Sequence, residues 1–226
     1  MNYYLELRLL PDEGANLGFL WSKVFQQIHL ALVEHGVDGE VTDEQGKVNT
    51  VRQSKVAMSI PEYGFSGGSK QSFPLGDKIR LFAHTQEALE QLNIAQWLSR
   101  LEDYVQVKTI KAVPADAEHV RFVREHYIRS QADIAAKTLE MATFKAKETG
   151  EPVDNWLNTF TQQAPKPSDK LPFIHTRSLS SSDKMDEKRF RLYIEMEKSS
   201  MPKQGRYTCY GLSFAQADKQ ATVPWF

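Results

Sequence analysis

Cys209 is the only cysteine among 226 residues. No intrachain disulfide can form, and cysteine-rich metal sites are excluded with it. Long apolar runs are missing as well: none approaches the roughly 18 to 20 residues of a membrane span. The opening "MNYYLELRLLPDEG" has no basic segment followed by an apolar one, so no signal peptide is expected. With the lone cysteine, this predicts a cytoplasmic protein without membrane contact. Familiar catalytic motifs are scarce. His29, His35, His84, His119, His126 and His175 form no HExxH. "FSGGSKQS" at 65–72 is glycine-rich but contains no GK[ST] and leads through Pro74 toward a strand, so a phosphate-binding loop is not expected. No GxSxG elbow is present, which argues against a serine hydrolase. No pair of carboxylates is spaced for acid–base work. No metal and no organic cofactor is therefore expected.

Charge of one sign is also lacking overall. The net charge is −1, which by itself does not mark a strong nucleic-acid binder. The two halves differ, however. Residues 1–107 hold 9 Lys/Arg against 14 Asp/Glu, and residues 108–226 hold 19 against 15. A polyanion would meet the C-terminal half.

What is there reads as an ordinary globular chain, with 41% hydrophobic and 25% charged residues, long enough to bury a real core. "YYLELRLL" (3–10) alternates and is closed by Pro11: a strand. Residues 16–36 carry apolar side chains at helical spacing and end in Gly36: a helix. Residues 38–54 are polar and aperiodic and predict a loop or a poorly ordered insertion. Strands are predicted at 55–61, 77–84 and 104–114, with a helix over 85–98 capped by Thr85. This β-α-β-β-α-β order is the split βαβ unit, a ferredoxin-like arrangement shared with RNA-recognition modules. Beyond it, 119–127 alternates, 130–150 is helical up to Gly150, 151–163 is a short helix, and "APKPSDK" is a break. "LPFIHTRSL", "KRFRLYIEME" and "GRYTCYGLS" read as strands. The fold class is α+β: a ferredoxin-like domain over 1–114, then a diverged α+β domain over 115–226 that holds an RNA-binding helix.

Three groups of residues could carry chemistry. Trp21, Phe25 and His29 recur every four residues and lie along one stripe of the first helix. His29 is either a core-edge histidine satisfied by one hydrogen bond or a general acid–base, since an unperturbed pKa near 6.5 suits proton transfer at neutral pH. In a strand, Tyr210 would share a face with Thr208 and Leu212, and Cys209 would take the other. Tyr210 is either a packed aromatic or a site residue, and Cys209 reads as a small apolar filler. Finally, Arg177, Lys188, Arg189 and Arg191 surround a serine-rich turn with Phe190 among them. That is either a charged hairpin or a platform for phosphate and base.

Taken together, "YYLELRLLPD", "VFQQIHLALV", "FPLGDKIRLFA", "IKAVP", "TRS…RFRLYIE" and "CYGLS…VPWF" resemble the CRISPR repeat-processing endoribonucleases of type I-F systems, within the RAMP superfamily. The resemblance runs nearly end to end. It implies metal-independent cleavage of the repeat hairpin of a CRISPR precursor RNA. The ribose 2′-OH attacks, leaving a 2′,3′-cyclic phosphate, and the enzyme stays on the crRNA hairpin as a subunit of the type I-F interference complex. Alone, such a protein would be a monomer. By the same resemblance His29 takes the 2′-OH proton, Ser178 holds the attacking ribose, Tyr210 positions the histidine, and Phe190 stacks on the last base pair of the stem. Arg124 and His126 match a base-reading linker. Arg129 and Lys137 stand on the expected RNA-binding helix, and Arg177, Arg189 and Arg191 would meet phosphates. The family's helix is arginine-rich. Here Arg129, Lys137 and Lys145 are eight apart and each turns about 80° from the last, so they fan around the helix. The rival class is a non-catalytic subunit that caps an RNA hairpin within a ribonucleoprotein.

Overall fold

The computed structural model describes residues 1–42, 46–64, 73–126, 129–177 and 189–226. By compactness the chain falls into two units, one of residues 1–124 with 172–226 and one of residues 125–171.

The first unit is built on a central strand, β1 (Tyr3–Leu9). Its alternate residues Leu5, Leu7 and Leu9 are buried, as a half-covered strand requires. Helix α1 (Leu17–Glu34) follows, its first turn capped by the Asn16 side chain, which accepts from the Phe19 N–H at 3.0 Å. Trp21, Val24, Phe25, Ile28 and Leu32 are fully or almost fully buried. The chain then forms β2 (Val37–Thr42), β3 (Val48–Ser54), β4 (Ala57–Ser59) and β5 (Lys78–Ala83). Helices α2 (Gln86–Leu92) and α3 (Ile94–Trp97) lead to β6 (Val105–Val107) and β7 (Lys111–Ala112). The first sheet has the order β4-β5-β1-β6, with β7 also paired to β1; the pairings of β1 with β5, β6 and β7, and of β4 with β5, are antiparallel.

A second sheet uses β8 (Glu118–Glu125), β9 (Phe173–Arg177), β10 (Arg189–Ser199) and β12 (Val223–Trp225) in the order β12-β8-β10-β9. β11 (Tyr207–Thr208) joins β3 and β2 in a three-stranded ribbon. One hydrophobic core holds Leu7, Phe25 and Leu81 from the first sheet region together with Phe122, Ile174 and Leu192 from the second. The second unit contains α4 (Gln131–Thr149) and α5 (Val153–Gln163). Ser130 and Asp133 form a reciprocal capping box at the start of α4, and Gly150 ends it in the left-handed conformation at φ +77°. Ile134, Thr138, Ala142 and Ala146, spaced by four, are its buried residues.

Three expectations about elements change. Residues 38–42 and 48–54 are not a loop: β2 and β3 pair antiparallel from Val37↔Gln53 to Thr42↔Val48. Most of the hairpin's side chains stay in contact with water, so ladder hydrogen bonds build it without the apolar alternation that would announce it. The helix expected over 85–98 is broken, because Asn93 adopts φ +43° and terminates α2; asparagine tolerates that region better than most residues. The strand expected over 104–114 divides into β6 and β7, which pair with opposite ends of β1.

Candidate active site

His29 sits on α1 one turn after Phe25, half-buried, with its Nδ1 2.8 Å from the Cys209 carbonyl oxygen. A carbonyl oxygen only accepts, so Nδ1 carries the proton. The neutral imidazole therefore keeps its lone pair on Nε2. A histidine held in this tautomer by a main-chain oxygen is a base with one defined working nitrogen. Burial pulls its pKa below the ordinary 6.5, and the Cys209 bond opposes that pull.

The Tyr210 ring stacks on His29 with centroids 4.5 Å apart and planes inclined by 22°. Phe25 lies nearly parallel to Tyr210 at 5.9 Å. The Arg124 guanidinium, from β8, lies 5.6 Å from the Tyr210 ring centre and 5.0 Å from that of Phe190. His29, Tyr210, Arg124 and Phe190 thus form a continuous row, a base at one end and an aromatic face at the other. The contact of Tyr210 with His29 is made by its ring, so Tyr210→Phe is expected to cleave RNA near the wild-type rate. Tyr210→Ala removes a stacked pair worth about 0.5–1.5 kcal/mol and is expected to lose roughly 3- to 10-fold in single-turnover rate.

"YTCYGLS" is not the strand expected of it. β11 stops at Thr208, and the chain reverses: the Gly211 N–H donates to the Thr208 carbonyl at 2.8 Å, and the Thr208 N–H to the Leu212 carbonyl at 2.8 Å. Cys209, Tyr210 and Gly211 are a three-residue hairpin loop with glycine at the left-handed position, φ +73°. The turn, rather than strand alternation, sends the Cys209 carbonyl and the Tyr210 ring toward His29. The Cys209 thiol reaches the Arg52 carbonyl at 3.4 Å. Burial raises its pKa, which keeps it a protonated donor.

The other residues singled out in the sequence are distributed as follows. Arg177 ends β9, and its Nη2 lies 3.5 Å from the Gln26 side chain, one turn before His29 on α1. Arg189 and Arg191 alternate with Phe190 along β10, paired with Arg177 and His175 respectively. They take one face of the strand and Phe190 the other, so the aromatic is not interleaved with these arginines on one surface; its cation is Arg124. The Arg191 guanidinium lies over Phe173 at 4.8 Å. His126, Arg129 and Lys137 belong to the second unit. His126 is exposed, the Arg129 N–H donates to the Ser168 hydroxyl at 3.0 Å, and Lys137 lines a groove with Met141, Phe144, Lys147 and Phe160. Ser178, with Ser180, Ser181, Ser182 and Lys188, lies outside the described residues. Among the described residues, no three His, Cys, Asp or Glu side chains gather as metal ligands, and no helix is long and apolar enough to cross a membrane.

Two contributors were not evident beforehand. The Cys209 carbonyl is main chain and leaves no residue-type signal. Gly211 did leave one, since an isolated glycine inside a short apparent strand signals a departure from regular strand geometry.

With the geometry in place, comparison with known proteins is decisive. The profile of the family described as "CRISPR-associated protein (Cas_Csy4)" matches residues 4–226. The chain belongs to that family. It is 28% identical over 227 residues to the CRISPR-associated endonuclease Cas6/Csy4 of Escherichia coli (strain UTI89 / UPEC), with both chains covered in full. It is 26% identical, again over the whole of both chains, to the protein of the same name from Pseudomonas aeruginosa (strain UCBPP-PA14). A solved structure titled "An RAMP protein binding different RNA substrates" aligns over the whole of both chains at 11% identity, with a TM-score of 0.24, too low to bear on the fold. As a member of the Cas_Csy4 family the chain is a CRISPR-associated endonuclease.

Proposed function

We propose that this chain cleaves CRISPR precursor RNA at the repeat hairpin, with His29 as the base. Nε2 of His29 takes the proton of the ribose 2′-OH, and the freed oxygen attacks the adjacent phosphorus. The P–O5′ bond breaks, and the departing oxygen takes a proton from solvent to become a 5′-OH, while His29 returns its proton to solvent. The upstream product ends in a 2′,3′-cyclic phosphate. No step calls on a metal ion. Ser178 is assigned to the attacking ribose and Phe190 to the closing base pair of the stem. The cations Arg124, Arg177, Arg189 and Arg191, with His126, Arg129 and Lys137, are assigned to the RNA. The single observation that carries the reading is the 2.8 Å bond from His29 Nδ1 to the Cys209 carbonyl. It leaves Nε2 unprotonated beside a stacked aromatic row of the kind that receives a base.

In this reading residues 1–114 form a ferredoxin-like domain and residues 115–226 the RNA-recognition domain. The sheet order supports the first part: counted as the four strands of a split βαβ unit, β4-β5-β1-β6 is the order 2-3-1-4. The enzyme acts in the cytoplasm as a monomer until it joins the type I-F interference complex, where it holds the product hairpin.

The test is single-turnover cleavage of the organism's own repeat RNA in EDTA, with product ends identified. A 2′,3′-cyclic phosphate and a 5′-OH are expected. Tight binding without cleavage would instead identify a hairpin-capping subunit. The pH dependence follows from the burial of His29. The base works when neutral, so activity is present above its pKa and lost as pH falls through it. Burial lowers that pKa in the free protein, and once the pH is below the pKa of the RNA-bound histidine the rate is expected to fall about tenfold per pH unit. A rate that stays flat from about pH 8 down to about pH 5, under conditions where chemistry limits it, would contradict the assignment.

A further inference from the structure

We infer that Arg52, at the inner end of the β2–β3 hairpin, is a positioning residue for the cleavage reaction: it ties the end of the helix that carries His29 to the turn that carries the Cys209 carbonyl and Tyr210. The inference rests on the reading of His29 as the base.

Helix α1 has no basic residue in its last turn, yet its final carbonyls need donors. Arg52 supplies further donors from outside, to a Val33 carbonyl that also accepts from the Gly36 N–H at 3.1 Å and to the Glu34 carbonyl. Its Nε donates to the Val33 carbonyl at 3.0 Å and its Nη2 to the Glu34 carbonyl at 3.3 Å. Nη1 pairs with Asp38 at 3.2 Å. Gly36 makes room for this side chain, since a Cβ there would stand 2.9 Å from Arg52 Cγ and 3.1 Å from Nε. The main chain of the same residue holds the turn. The Arg52 carbonyl accepts from the Cys209 thiol, and the next two residues pair with β11 as Gln53↔Thr208 and Ser54↔Tyr207. One residue therefore reaches both elements that meet in the His29–Cys209 hydrogen bond, its side chain on the last carbonyls of α1 and its backbone on the Cys209 thiol and β11. The ion pair with Asp38 does not explain the choice of arginine, because exposed pairs contribute little. Two carbonyls reached by one planar fork do explain it, since a lysine ammonium is a single point of attachment.

The variants are Arg52→Ala, Arg52→Lys and Gly36→Ala, which keeps the guanidinium but crowds it off the helix end. Each is measured for thermal unfolding, for the ring tautomer of His29 by nitrogen-15 chemical shifts in the free protein, for repeat-RNA affinity, and for single-turnover cleavage. Wild type is expected to show the proton on Nδ1. Arg52→Ala and Gly36→Ala are expected to mix the two tautomers and to lose about 10- to 100-fold in cleavage rate, the scale set by a displacement of about 1 Å, with RNA affinity changed less than about threefold. Arg52→Lys is expected to recover part of both. A folded Arg52→Ala or Gly36→Ala protein with the wild-type tautomer and rate overturns the proposal, even if its melting temperature falls, because Arg52 would then be a structural cap only. Should Arg52→Ala fail to fold, Gly36→Ala and Arg52→Lys decide by the same criteria. Should the wild type fail to cleave RNA, the base assignment falls, and the tautomer measurement still decides whether Arg52 fixes the ring.

Discussion

Replacing His29 with alanine is expected to leave repeat RNA bound but uncut. A positioned general base contributes about 10² to 10⁴ in rate, and the alanine variant should lose that factor in single-turnover cleavage. Affinity should change little, because the imidazole is neutral at pH 7, its pKa being held below 6.5 by burial. A neutral ring neutralises no phosphate and releases no counterion. The two measurements separate this role from its competitor. Were His29 a phosphate ligand, the variant would bind more weakly and its affinity would depend less steeply on salt. The cations proposed to meet phosphates, Arg177, Arg189 and Arg191, should show the second pattern.

The second large effect belongs to a residue with no side chain. Gly211→Ala is expected to destabilise the protein and slow cleavage together. Gly211 adopts φ +73°, where an L-residue costs about 1–2 kcal/mol. A Cβ there would also stand 2.8 Å from Met58 Cβ and 3.0 Å from the Met58 backbone nitrogen. Met58 is fully buried, and its N–H donates to the Gly211 carbonyl at 2.8 Å, so it cannot step aside without breaking that bond. Overpacking of this kind costs about 1–3 kcal/mol more. For a chain of this size the sum corresponds to roughly 5–15 °C in melting temperature. The turn that relieves the clash is the one that bears the Cys209 carbonyl, so the cleavage rate should fall with stability. A Gly211→Ala protein that melts and cleaves like wild type would show that the turn has room the geometry denies it.

The comparison of sequence and structure is most instructive where one stretch was legible and its neighbour was not. The stripe Trp21, Phe25, His29 could be read from spacing alone, because a helix fixes which side chains share a face. Phe25 and His29 both flank Tyr210, as that stripe requires. The strands β1 and β8 alternate over most of their length, whereas β5 alternates only as far as Leu81, since Phe82 and Ala83 are buried as well. The hairpin at 37–54 did not, since a ribbon whose side chains mostly meet water has no apolar pattern to show. Tyr210 was singled out through a family resemblance and its neighbourhood in sequence. The means of presenting it, a glycine turn, was mistaken for a strand.

By itself, the sequence determined the α+β class, the order of the main elements, the helical stripe bearing His29, and the exclusion of disulfide and long apolar spans. These are properties of residue type and of short-range periodicity, which each segment expresses on its own. Only the tertiary structure decided the tautomer of His29, the stacking of Tyr210 upon it and of Arg124 upon Tyr210, and the reach of Arg52 across the end of α1. His29 and Cys209 are 180 residues apart, and the atom that orients the ring is a backbone oxygen identical in every residue. No pattern of side chains encodes which carbonyl will face the imidazole; packing of the turn against the helix does.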